Sequence, residues 1–440
     1  MKKYKKTLIT GTATLVITGL LTRFLGFYYR IFLSSKIGAE GIGLYQMIFP
    51  LYILCISLSS SGIQLGICQQ VSKDESKGKS SLLTGLIISL PISIICSLIM
   101  FFFSNFLASN YLNEPRCQPL IILLCFCLPL ATIHNCINGY FLGIQNATVP
   151  GITQLIEQIG RMGAVYFIFS FLSFNISSNP QKLAIIAVIG LLASEIISTI
   201  YSMCALYINL SKRKQLPKTY KHFKICKNIK ELTSVSLPIS MTNISLSLIH
   251  SLEASAIPLF LGRYGLSPSQ AISVYGILTA MAMPFILFPT TITCAVSKML
   301  LPLVSKAKSD KCTTKINNLT LNTIKYCSLF GLFCTLFFIL TGKLIGSYFF
   351  HSLTAGNFIT ILAWLCPFIF ISTTLGSILN GLGFTKTTFY HNLFSALLRL
   401  AFIVILIPYI GIKGYLWGIL ASELLCALLH TISVVKYLHT

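Results

Sequence analysis

The chain alternates long apolar runs with short polar punctuation, and the period-two pattern of a membrane barrel is absent. Twelve runs predict spanning helices over residues 7–34, 42–72, 80–108, 117–143, 150–174, 181–210, 231–262, 269–304, 316–341, 355–382, 387–409 and 413–437. About 20 apolar residues suffice to cross a bilayer, so the longer runs predict tilt, kinks or extension beyond it. Prolines inside the runs (Pro50, Pro91, Pro129, Pro238, Pro258, Pro284 and Pro289) predict kinks, because each removes a helical N–H and crowds the preceding turn. One long polar segment interrupts the series, SKRKQLPKTYKHFKICKNIK at 211–230, close to the middle of the chain.

That position suggests a linker between related halves, and the sequence repeats itself accordingly. GLLASEII at 190–197 matches GILASELL at 418–425, a displacement of 228 residues, and 143–161 overlays 381–399 at 238. A weaker match sets Tyr45 against Tyr275 and places Arg23 opposite Glu253. The fold class expected is an all-α polytopic membrane protein with about twelve spans. They form two six-helix bundles, 1–210 and 231–440, joined by the basic linker 211–230. Six spans per half is an even number, so the repeat is parallel rather than inverted.

Composition agrees: 55% of the 440 residues are hydrophobic and 10% charged, far from a soluble domain. The apolar run after MKKYKK has no small-residue cleavage site before Arg23 and is expected to be a retained helix. A net charge of +23 on a soluble chain would point to nucleic acid. Its distribution gives another account. With the N-terminus in the cytoplasm, 21 of the 33 Lys and Arg residues fall on that side, 6 outside and 6 within spans. This predicts cytoplasmic termini in a bacterial plasma membrane and contact with anionic lipids, with no nucleic-acid partner. The 15 cysteines lie mostly in apolar runs without metal-ligand spacing and are expected to be packing residues; no metal or catalytic constellation is found.

The candidate chemistry is the charge placed within spans. Arg23 lies 16 residues into the first run, about 24 Å along a helix, where a charge costs about 2.5–3.5 kcal/mol unless it is paired or wet. Arg30 is nearer the end of that run and can snorkel. Glu157 and Arg161 share a face of the fifth span at i, i+4. Arg399 is the matching arginine of the eleventh span, but Ser395 stands where Glu157 stood, so no acid on its own helix neutralises it. Glu195 and Glu423 occupy equivalent places midway along the sixth and twelfth spans. They are candidates for proton or cation coupling, or for buried carboxyls at a helix interface. His250 and Glu253 share a face of the seventh span. The expected substrate-binding set is Arg23, Arg30, Arg161 and Arg399, and the expected coupling or cavity acids are Glu157, Glu195, Glu253 and Glu423. Fixed guanidinium forks suit a phosphate-bearing ligand, whereas an organic-cation exporter needs acids in excess. A membrane glycosyltransferase would need acids in its outer loops, where only Glu40 and Glu114 clearly lie.

The opening LTRFLGFYYRIFLSSKIGAEGIGLYQMIFPLYILCISLSSSGI at 21–63 resembles the stage V sporulation protein B group. That group belongs to the multidrug/oligosaccharidyl-lipid/polysaccharide exporter superfamily. Thr22, Arg23, Leu25, Gly26 and Phe27 also resemble the start of that superfamily's lipid II flippases, with Arg23 on the motif arginine. The resemblance implies a V-shaped pair of helical bundles around a central cavity, switching between inward-open and outward-open forms. It implies a monomeric flippase, not an enzyme, for a polyprenyl-pyrophosphate-linked saccharide such as a peptidoglycan precursor for spore cortex. Cell-wall synthesis enzymes would be its partners. No cofactor is expected beyond a coupling ion, H+ or Na+. The alternative is an ion-coupled multidrug or organic-cation exporter of the same fold.

Overall fold

The computed structural model describes residues 2–172, 179–213, 225–310 and 312–439, and no strand occurs among them. The principal helices of the first half are α1 (Lys2–Ile56), α2 (Gly62–Lys73), α3 (Gly78–Phe102), α4 (Gln118–Gly143), α5 (Thr148–Leu172) and α6 (Pro180–Arg213). Then come α7 (Ile225–Arg263), α8 (Pro268–Gly276), α9 (Thr290–Ser309), α10 (Thr313–Phe350) and α11 (Leu353–Leu362). The chain ends with α12 (Cys366–Gly381), α13 (Thr385–Ile410) and α14 (Ile412–His439).

Among the described residues ten helices are long and apolar enough to cross a membrane, against the twelve crossings expected. The first of the ten, Ile17–Lys73, is 57 residues long, far more than one crossing needs. It bends at Gly38, whose φ of 71° is a conformation glycine adopts without penalty. α5 is not among the ten; Gln154, Glu157, Gln158 and Arg161 crowd one stretch of it. Large apolar side chains such as Phe102, Phe171, Leu340 and Tyr348 stand exposed along these helices. Such a surface suits hydrocarbon, not water, and the protein is a multi-pass membrane protein.

The interruptions fall only in part where proline predicts them, as at Pro289. Pro50, Pro91 and Pro129 sit inside continuous helices. The irregular stretches are instead π-helical turns at Ser57–Ser61, Leu107–Tyr111 and Ile277–Ala282. Each accommodates an extra residue within a helix. The expected eighth span, 269–304, is divided: α8, the third π turn and a short Met283–Leu287 helix precede Pro289, and α9 follows. A 3-10 turn at Ala363–Leu365 separates α11 from α12. At the polar segment 211–230, α6 runs to Arg213 and α7 begins at Ile225; residues 214–224 lie outside the described residues.

The helices gather into two compact units. Unit 1 is Met1–Tyr29 with Met47–Ser251, and unit 2 is Arg30–Gln46 with Leu252–Thr440. The division runs inside α1 and α7, where the sequence places it at 211–230. Within unit 1, α4 packs on α2, α3 and α6, and α5 packs on α6. Within unit 2, α12 packs on α9, α10 and α14, and α13 packs on α14. The pairings correspond one to one. So do the cores: Ile137, Tyr140 and Phe141 of the first have Leu375, Ile378 and Leu379 in the second, each pair 238 residues apart.

Close packing of this kind needs small residues at the crossings. In unit 2, a Cβ on Gly276 would run into the Ala39 carbonyl and, at 2.8 Å, the Gly43 Cα. Gly276→Val is therefore expected to destabilise by about 1–3 kcal/mol, as overpacking does. Gly163, with nothing within 4 Å of a Cβ, should tolerate Ala. Thermal unfolding in micelles separates the two; equal shifts would discount the crossing.

Candidate functional site

The eight charged candidates divide evenly. Arg23, Glu157, Arg161 and Glu195 belong to unit 1, and Arg30, Glu253, Arg399 and Glu423 to unit 2. Each unit thus holds two arginines and two glutamates, and each organises them around its helix pair, α5–α6 or α13–α14.

In unit 1, Arg161 donates from Nη2 to Glu157 Oε1 at 2.6 Å, one turn away on α5. On the neighbouring helix, Glu195 is buried and has both carboxylate oxygens engaged. Tyr52 donates its hydroxyl to Oε1 at 3.0 Å, and His134 Nε2 lies 2.9 Å from Oε2. Tyr52 comes from α1 and His134 from α4, so this cluster ties together three helices. Around it run further polar contacts: Ser59 to Thr132 at 3.3 Å, Asn135 to Ser60 at 3.2 Å and Thr153 to Ser202 at 3.3 Å. Arg23 lies exposed on α1, with Tyr29 buried beyond it.

In unit 2, Arg399 on α13 donates from Nε to Glu253 Oε1 on α7 at 2.7 Å, with both side chains largely buried. Glu423 on α14 accepts from the Ser372 hydroxyl of α12 at 3.1 Å. Behind Ser372, its own carbonyl lies 3.0 Å from His430 Nδ1, and the His430 and His391 rings are 5.2 Å apart. Arg30 is half-buried at the end of the first apolar run.

As expected, no acid on α13 neutralises Arg399; its counter-charge is Glu253 of α7, 146 positions earlier in the chain. A guanidinium taken out of water without a counter-charge is too costly to keep, so the loss of a local partner is offset by a distant one. On α7, His250 is exposed and Glu253 buried.

Sequence reasoning did not single out His134, Tyr52 or Ser372. The repeat contains the signal for two of them. His134 and Ser372 are 238 residues apart, the displacement that aligns Arg161 with Arg399, and both serve the acid of the following equivalent helix. Chemically, each unit offers a carboxyl held by neutral or titratable donors beside a guanidinium held by a carboxylate. A guanidinium has five N–H donors, so engagement with one carboxylate does not exclude a second anion.

The sequence profile of the family described as polysaccharide biosynthesis protein matches residues 8–308, and that of the MatE family matches 230–405. Stage V sporulation protein B of Bacillus subtilis is 28% identical over 448 residues, spanning 99% of this chain and 85% of the relative. Lipid II flippase MurJ of Bacillus subtilis is 24% identical over 346 residues, spanning 72% of this chain and 62% of the flippase. Among solved structures, an inward-facing multidrug resistance MATE family transporter of the MOP superfamily superposes with a TM-score of 0.76. It is 16% identical, over 95% of this chain and 94% of that one, and shares the fold.

The buried pair of unit 2 makes a stability prediction. Glu253→Gln removes the counter-charge of Arg399 and is expected to cost about 3–5 kcal/mol. Glu253→Gln combined with Arg399→Gln should recover most of the loss. Denaturant unfolding in micelles reads both, and a double variant no better than the single one would dissociate the cost from the pair.

Proposed function

The chain belongs to the polysaccharide biosynthesis protein family, and from that premise we propose that it is a flippase that moves a polyprenyl-pyrophosphate-linked saccharide across the plasma membrane by alternating access. A peptidoglycan precursor for cortex or cell wall is the substrate this reading favours, since the relatives are named for sporulation and for lipid II. The observation that carries it is the retention of arginines on the apolar helices of both units, Arg23 and Arg161 in one and Arg30 and Arg399 in the other.

A pyrophosphate head group must cross a hydrocarbon layer of ~30 Å. Leaving water uncompensated would be prohibitive, and guanidinium groups already fixed at depth offset that cost as the charge moves. Arg23, exposed on α1, meets the head group first. Arg161 and Arg399 are positioned by Glu157 and Glu253, and their guanidinium groups are the places for phosphate oxygens. The buried acids Glu195 and Glu423 are the places for a coupling proton or sodium ion. The lipid tail stays in the membrane, and no bond is made or broken. Cytoplasmic termini follow from the 21-to-6 distribution of basic residues.

A second reading, a cation exporter of the MATE type, draws on the MatE profile over 230–405 and on the four acids within spans. The two make opposite demands on charge. For the flippase, Arg23→Ala should lower translocation of a fluorescent lipid-linked pyrophosphate in proteoliposomes at least tenfold while leaving expression intact. Export of ethidium should be absent from the unmodified protein. Undiminished translocation by Arg23→Ala removes that residue from the path, and ethidium export abolished by Glu195→Gln or Glu423→Gln favours the exporter.

A further inference from the structure

Away from the arginine–glutamate groups, unit 2 contains a second feature. A groove of about 530 Å³ is bounded by α10, α11 and α14, with Ile339, Ile361 and Leu365 among its apolar walls. Both tryptophans of the chain, Trp364 and Trp417, line it, and they are 54% and 59% exposed. Its one charged lining residue is Lys413, and no acid lines it.

The contribution of α14 is ordered by depth. Lys413, Leu416, Trp417 and Leu420 fall at i, i+3, i+4 and i+7, the spacing of a single helix stripe. Tyr415, Ile419 and Cys426 are buried on another face of the same helix. Lys413 is the second residue of α14, just after the turn at Gly411. Trp417 then lies about 6 Å deeper along the axis and Leu420 about 10 Å deeper. Cation, amphipathic ring and aliphatic wall therefore succeed one another as phosphate, interface and acyl chain do in a bilayer leaflet.

We propose that this groove is a binding site for one anionic phospholipid, its phosphate on Lys413, its glycerol region against Trp417 and Trp364, and one acyl chain along the apolar wall. Charge complementarity selects the occupant. A single cation matches a single phosphate diester, whereas a pyrophosphate-linked saccharide requires more donors than this site has. The apolar remainder excludes a soluble anion. The site is independent of the transport reading and of which side of the membrane the Gly411 turn faces.

Native mass spectrometry of the full-length protein tests it, after exchange into detergent doped with phosphatidylglycerol, phosphatidylcholine or undecaprenyl phosphate. One phosphatidylglycerol should be retained in preference to phosphatidylcholine. Lys413→Gln should reduce that retention about fivefold, the worth of one lysine near an anionic surface, and Lys413→Arg should restore it. Leu420→Trp, which fills the groove without altering charge, should reduce retention of every lipid. Equal retention of the two phospholipids, or no effect of Lys413→Gln, overturns the proposal. Displacement of phosphatidylglycerol by undecaprenyl phosphate in a Lys413-dependent manner also overturns it, and assigns the groove to an isoprenoid chain.

Discussion

Charge cannot be left alone in hydrocarbon, and most of what is specific about this structure follows from that constraint. An isolated guanidinium or carboxylate at bilayer depth is costly enough that it must be paired, hydrated or moved to an interface. The helices themselves satisfy every backbone group internally, which explains why the chain is helical and says nothing about its function. The side chains that break the apolar pattern are what require explanation. Arg161 meets Glu157, Arg399 meets Glu253, Glu195 meets Tyr52 and His134, and Glu423 meets Ser372. All but the first of these contacts join helices that lipid alone would not drive together, since lipid tails are as apolar as the helices.

The same constraint explains what can and cannot be read from sequence. Helices and their membrane character are legible because hydropathy is a local property, and ten apolar helices, a repeat and a central basic segment all leave marks in the string of residues. The Glu157–Arg161 pair is legible for the same reason, being one turn long. The Arg399–Glu253 pair is not, because its members are 146 residues apart on different helices and only the tertiary fold decides that they meet. The break at Pro289 and the π turns at Ser57–Ser61 and Ile277–Ala282 are likewise consequences of tertiary fit. Pro50, Pro91 and Pro129 carry the same local signal as Pro289 without ending their helices.

The groove of unit 2 illustrates a different limit. Its stripe on α14 is regular enough to be found by spacing, but the significance of Lys413 and Trp417 depends on Trp364 arriving from the turn between α11 and α12. A residue 53 positions from Trp417 in sequence supplies the second indole, and only the fold brings the chain's two tryptophans to one place.

Internal repetition gives the comparison that tests these ideas within one molecule. The scaffold is reproduced closely: α4 and α12 occupy equivalent places, their core residues match at a displacement of 238, and the acids Glu195 and Glu423 recur on α6 and α14. One partner position of those acids recurs, at His134 and Ser372, but its residue type does not. His134 and a tyrosine hold one, while a serine hydroxyl holds the other, and the arginine next door finds its carboxylate on its own helix in one unit and on α7 in the other. Packing that only has to fill space tolerates copying, since Ile137 and Leu375 do the same work. Polar groups at depth do not, because each must be matched atom by atom, and a change in one partner forces a change in the next. Divergence between the two units is therefore concentrated in the buried polar set, over an apolar frame that repeats.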